Sequence, residues 1–187
     1  AKKIVSGDVG IDMIAGPSEV CVLADETALP ELVAVDLMAQ AEHDPLASCY
    51  LVTFSEAYAD AVENAIQKTV ESSTRKEITM SSLTDKGLIV ICDSLAQALQ
   101  TINVIAPEHL ELHVSRPMEL LGQIRNAGAI FMGEWTPEAV GDYVAGPNHT
   151  LPTLGTARFS SPLSVDDFVK KSSFIYYTKE ALGAVQE

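Results

Sequence analysis

Five short apolar runs punctuate the sequence, and the stretches between them carry helical periodicity. The runs are Val20–Ala24, Ser48–Thr53, Leu88–Cys92, Leu110–Val114 and Ala129–Met132. Each has strand length and is bounded by turn residues. Between the first two, Pro30–His43 reads as a helix. Pro30 is tolerated in its first turn, and Leu32, Val35 and Ala39 form one face. Ser55 is placed to cap a second helix, in which Tyr58, Val62, Ile66 and Val70 recur every four residues. Asp93 or Ser94 would cap a third, with Leu95, Leu99 and Ile102 inward, and Pro117–Ile124 would form a short fourth. Strands alternating with helices predict an α/β fold: an open, mostly parallel sheet with flanking helices, in effect an incomplete Rossmann-like domain.

Finer expectations follow from the same patterns. The continuous run Leu88–Cys92 predicts a parallel strand covered on both faces. Leu110–Val114 alternates, as a half-buried strand should, with His113 on its polar side. Leu83–Gly87 reads as a turn cluster, and Ala1–Asp12 as irregular. From Thr136 to Thr153 the chain is rich in Gly, Pro and polar residues, which predicts a long functional loop. A short C-terminal extension would follow, with a helix over Ser164–Lys171, a strand over Ser173–Thr178 and a helix over Lys179–Glu187. The division expected is residues 1–160 as the α/β portion and 161–187 as the start of the extension.

Charge narrows the function. Acidic residues outnumber basic ones 26 to 12, a net charge of −14. Such a surface repels phosphate backbones, and no basic cluster exceeds a Lys-Lys pair, which argues against nucleic acid. No apolar run is long enough to cross a bilayer, and no secretory signal is visible, although the chain opens on Ala1. Cys21, Cys49 and Cys92 each fall in or beside an apolar run, as small core residues of a reducing compartment would. Neither GxGxxG nor GxxxxGK[ST] occurs, so the usual nucleotide fingerprints are missing.

Histidines and carboxylates cluster at the breaks. Gln40 and His43 stand i, i+3 at the predicted end of the first helix, before Pro45. A QxxH at a helix end is also what an ordinary polar terminus looks like. His43, His109 and His149 all lie at breaks, with Glu42 and Asp44, Glu108, and Asp142 among the nearby carboxylates. Imidazole beside carboxylate suits a metal site or acid–base chemistry near neutral pH. Glu108-His109, after Pro107, is the better acid–base candidate: one group to orient a water, the other to take a proton.

Four stretches then resemble one family. They are Gly10–Val20 (GIDMIAGPSEV), Gln40–His43 (QAEH), Ala106–Leu110 (APEHL) and Gly141–Thr153 (GDYVAGPNHTLPT). In wording, order and separation they are similar to histidinol dehydrogenases. The resemblance runs through the whole chain, which matches less than half of the family's usual length, its central-to-late part. It implies that Gln40, His43 and Asp142 are ligands of one Zn2+, that Glu108 activates water, and that His109 is the general base. Ser18 and His149 would contact substrate, as would Gln40, His43, Glu108, His109 and Asp142. The implied reaction takes L-histidinol through L-histidinaldehyde to L-histidine with NAD+, in a homodimer whose partner subunit completes the site. A fourth zinc ligand and a substrate-binding glutamate in the family's C-terminal tail have no match here, and no NAD-binding residue can be assigned. The chain alone is therefore expected to be inactive, and to lack strands of its sheet. A bacterial cytoplasm is implied, or a plastid for a plant source. Two rivals are a zinc hydrolase using His43, Asp142 and a Glu108-activated water, and a non-catalytic binding module. An esterase or amidase screen would separate the first.

Overall fold

The computed structural model describes residues 1–185. Five strands form one all-parallel sheet: β1 (Glu19–Ala24), β2 (Ser48–Thr53), β3 (Gly87–Ile91), β4 (His109–His113) and β5 (Ala129–Met132). Their spatial order is β3-β2-β1-β4-β5. The α/β expectation is met. Two crossovers lead from β1 through β2 to β3, and the chain then returns to lay β4 on the other side of β1.

That reversal decides which helix covers which face. α2 (Pro30–Ala41) and α3 (Glu56–Val70) connect the first three strands and pack on one face, with Val20, Val22, Val33, Leu37, Leu51 and Val62 in one cluster. α5 (Leu95–Ile105) connects β3 to β4 and covers the opposite face, against Cys21, Leu23, Leu110 and Leu112. The side chains of Ser55 and Ser94 accept the N–H of Tyr58 and Gln97, capping α3 and α5. All three cysteines are buried and unpaired.

Several expectations are corrected. β3 is an edge strand, not one covered on both faces: Leu88 is 51% exposed and Ile91 43%. Continuous β-branched composition suits burial, but it cannot say whether this chain supplies the cover. β4 is buried along its whole length instead of half-buried, because its polar members face α2 and not solvent. The expected turn at Leu83–Gly87 is the end of a helix, α4 (Lys76–Lys86). α4 has no apolar stripe to betray it and docks through buried polar groups, as when Ser82 Oγ donates to the Ala47 carbonyl at 2.9 Å. In α5, Leu95 is exposed and Ala98 takes the inward position.

The ends also differ. Lys2–Val5 forms a short α1 in the stretch read as irregular. The loop from Thr136 contains α6 (Glu138–Tyr143), a helix too short to show periodicity. Ser164–Lys171 contracts to a 3-10 turn at Val165–Phe168, Ser173–Thr178 forms no strand, and α7 spans Lys179–Gly183. Gln186 and Glu187 lie outside the described residues. No helix among the described residues is long and apolar enough to cross a membrane.

Candidate functional site

Parallel strands all begin at one edge of a sheet, and here the ionisable residues gather at that amino edge. Glu19 opens β1 and His109 opens β4, with Val20 in register with His109. α2 runs back against the strands, so its last turn returns Gln40 and His43 to the same edge. Open α/β sheets commonly bind ligands at the carboxyl edge, at the switch in strand order. This chain places its expected site residues at the opposite end.

The backbone of Glu19 holds the acid–base pair. Its N–H donates to Glu108 Oε2 at 2.9 Å, and its carbonyl lies 2.9 Å from His109 Nδ1. A carbonyl can only accept, so Nδ1 carries the proton and Nε2 keeps its lone pair. Nε2 has no hydrogen-bond partner and lies 3.9 Å from Glu138 Oε1. Burial lowers the His109 pKa, so the imidazole is neutral and able to accept a proton. Burial acts oppositely on Glu108 and pushes its pKa up to about 7, against hydrogen bonds from Glu19 and Ser18 that favour the anion.

The approach to this pair is strained and close-packed. Ala106, at φ 52°, ends α5 in left-handed conformation immediately before Pro107. Gly128 N–H donates to the Pro107 carbonyl and Ala129 N–H to the Glu108 carbonyl, both at 2.9 Å. A Cβ on Gly128 would stand 2.5 Å from the Glu108 carbonyl oxygen, so no larger residue lets β5 come this near.

Two cavities meet at Asp142. The larger, about 440 Å³, is bounded by Asp36, His43, Glu134, Glu138 and Asp142 between α2 and α6. The smaller, about 160 Å³, is bounded by Phe131, Gly141, Asp142, His149 and Leu151. His43 and His149 are exposed, whereas Gln40 is fully buried with neither carboxamide atom hydrogen-bonded. A buried carboxamide without partners is expensive in a stable core. A side chain in that position fits the role of a ligand. Of the expected ligands, His43 and Asp142 border the larger cavity and Gln40 borders neither; amide oxygen, imidazole and carboxylate are donors that suit a borderline divalent ion such as zinc. Ser18 lies beside Glu108, its turn tied to the long loop by Gly16 N–H donating to Thr153 Oγ1 at 2.6 Å.

Three buried groups, Glu138, Glu111 and His113, and the half-buried Asp36 were not foreseen in this setting. His109, Glu111 and His113 alternate along one face of β4. Glu111 Oε1 accepts the Glu138 N–H at 2.9 Å. Its other oxygen lies 3.4 Å from His113 Nε2, which lies 3.2 Å from Asp36 Oδ2. Burial raises the pKa of Glu138 to about 8 and also raises that of Glu111. Burial alone would lower His113, but the flanking Asp36 and Glu111 carboxylates carry it up to about 9. The alternating His-x-Glu-x-His of β4 was the signal available in the sequence.

Comparison with known proteins gives a consistent picture. A family profile described as histidinol dehydrogenase matches residues 1–187. The chain is 56% identical to the histidinol dehydrogenase of Clostridium acetobutylicum over all of its own length and 43% of the relative's. It is 56% identical to that of Bacillus subtilis over 97% of the chain and 42% of the relative. A crystal structure of histidinol dehydrogenase from Elizabethkingia anophelis superposes with a TM-score of 0.91 at 39% identity, covering 98% of this chain and 42% of that one. The chain thus spans less than half the length of the curated relatives it matches.

Proposed function

This chain belongs to the histidinol dehydrogenase family, and we propose that it carries the metal-holding and acid–base part of an enzyme that oxidises L-histidinol to L-histidine. The observation that carries the reading is the backbone clamp of Glu19, which presents Glu108 and a free His109 Nε2 at one edge. Gln40, His43 and Asp142 are the proposed Zn2+ ligands. Bound there, the ion would fix the substrate's imidazole and amine and so orient its alcohol.

The protein's own groups account for the proton steps. His109 Nε2 accepts the alcohol proton as the first hydride leaves the carbinol carbon. Glu108, ionised once the pH exceeds about 7, takes a proton from the water that adds to the aldehyde. The His109 imidazolium returns its proton to the aldehyde oxygen as water adds, and the ring, neutral again, then removes a hydroxyl proton of the hydrate as the second hydride departs. Nδ1, held by the Glu19 carbonyl, keeps the ring turned for both transfers. Ser18, beside Glu108, and His149, at the margin of the smaller cavity, contact the substrate. NAD+ is the proposed hydride acceptor, and no residue of this chain is assigned to it.

On this reading residues 1–160 are the catalytic portion and 161–187 begin an extension. The enzyme is a homodimer of the bacterial cytoplasm, consistent with three unpaired cysteines and bacterial relatives. The test uses protein expressed from the complete gene. Histidinol-dependent NADH formation is expected, with His109→Asn and Glu108→Gln each lowering kcat by about 10²–10⁴. Wild-type kcat in either variant, or esterase activity in place of oxidation, would refute the assignment.

A further inference from the structure

We propose that Asp36, Glu111 and His113 form a clamp that sets the relative positions of α2, β4 and α6, and thereby the geometry of the site. The inference rests on the reading of Gln40, His43, His109 and Asp142 given above. It adds three positioning residues to that reading.

The argument begins from where these residues stand. Asp36 is one helical turn before Gln40, and the i, i+4 relation puts both on one face of α2. Glu138 is one turn before Asp142, on one face of α6. Glu111 is one pleat from His109, on one face of β4. α2, β4 and α6 are therefore each held one structural repeat from a site residue, and the three holds converge. Glu111 is the hub: one oxygen accepts the Glu138 N–H, and the other faces His113 Nε2, which also faces Asp36. Strand, helix and helix are joined through one carboxylate and one imidazole.

Energetics argue that the arrangement is there for placement. Glu111 is fully buried and His113 is 2% exposed. Desolvating such groups costs several kcal/mol each, and an apolar cluster in their place would be at least as stable. A hub that accepts a hydrogen bond, unlike an apolar one, tolerates only a narrow range of distances. α6 has just six residues and little apolar surface to anchor it, so its pose depends on the bond from Glu138 N–H. Ligand atoms of the three side chains lie within 4.8 Å of one another, a spacing a divalent ion could also accept. His113 Nε2, 3.2 Å from the Asp36 carboxylate and 3.4 Å from that of Glu111, places an imidazole between the two where such an ion would sit.

The test compares Glu111→Ala with Glu111→Gln in protein expressed from the complete gene. The glutamine keeps an oxygen to accept the Glu138 N–H, whereas alanine does not. Two quantities are read: hydrogen exchange of the Glu138 amide in metal-free protein, and Co2+ affinity followed by visible absorption. In Glu111→Ala the amide should exchange at least about tenfold faster and cobalt bind about 10–100-fold more weakly. Glu111→Gln should restore most of both. Unchanged exchange and unchanged cobalt binding in a folded Glu111→Ala would overturn the clamp. So would a second cobalt equivalent in the wild type that is lost in His113→Ala, since the cluster would then be a metal site. Wild-type protein that binds no cobalt would instead sink the proposed function, and amide exchange would still decide the clamp. Should Glu111→Ala not fold, the isosteric Asp36→Asn provides the same readouts. A faster Glu138 amide would support the clamp, and an unchanged one would overturn it.

Discussion

Gln40 lies in the interior with neither carboxamide atom partnered. An unsatisfied buried amide costs about 1–3 kcal/mol. Gln40→Leu should accordingly raise the unfolding free energy of metal-free protein, read from urea titration, by about 1–3 kcal/mol while weakening Zn2+ binding at least about tenfold. A leucine variant less stable than wild type would show that the amide has partners after all. The sequence exposed this residue through its company, since QxxH at a helix end names two donors. It did not expose burial, which depends on β1 and β2 pressing on the same turn. His113 was equally legible as a type and illegible as a role. Its partner Asp36 is far off in the chain, and only β4 lying beside β1, under α2, brings them within 3.2 Å.

Elements were legible where an apolar period is long enough to see. β2 runs over the residues its run predicted, and α3 starts at its serine cap. α4 and α6 escaped because one buries polar groups and the other is a single short turn. α6 is also the element most exposed to small changes. Its Gly141 rests on Phe131, where an added Cβ would meet ring carbon Cε1 at 2.6 Å. Gly141→Ala should therefore cost about 1–3 kcal/mol in stability by overpacking, despite alanine's better helix propensity. Because Asp142 is the next residue, metal affinity should fall too. Thermal melts with and without Zn2+ check both, and a stabilised alanine variant would mean that α6 shifts freely.

Across the whole molecule, three of the buried ionisable groups share a sign. Glu108, Glu138 and His113 have folded pKa values of about 7, 8 and 9, against 4.5, 4.5 and 6.5 for the free groups. Each binds its proton more tightly when folded. The stability each contributes is complete below its unfolded value and is lost as pH rises through its folded one. His109, lowered by burial, opposes this only below about 6.5. The urea midpoint of metal-free protein should therefore fall steadily from pH 7 to pH 9, and a flat midpoint would mean these groups are solvated. The polar row on β4 has one more consequence, for folding. Strand side chains alternate, so a one-residue slip of β4 would exchange its faces. His109, Glu111 and His113 would then enter the apolar layer with Leu99, Ile102 and Leu120. Leu110 and Leu112 would be turned toward the carboxylates of Asp36 and Glu138. An all-leucine strand would barely distinguish the two registers. The charges that serve the site thus also act as a key, cut so that the strand enters the sheet in one alignment only.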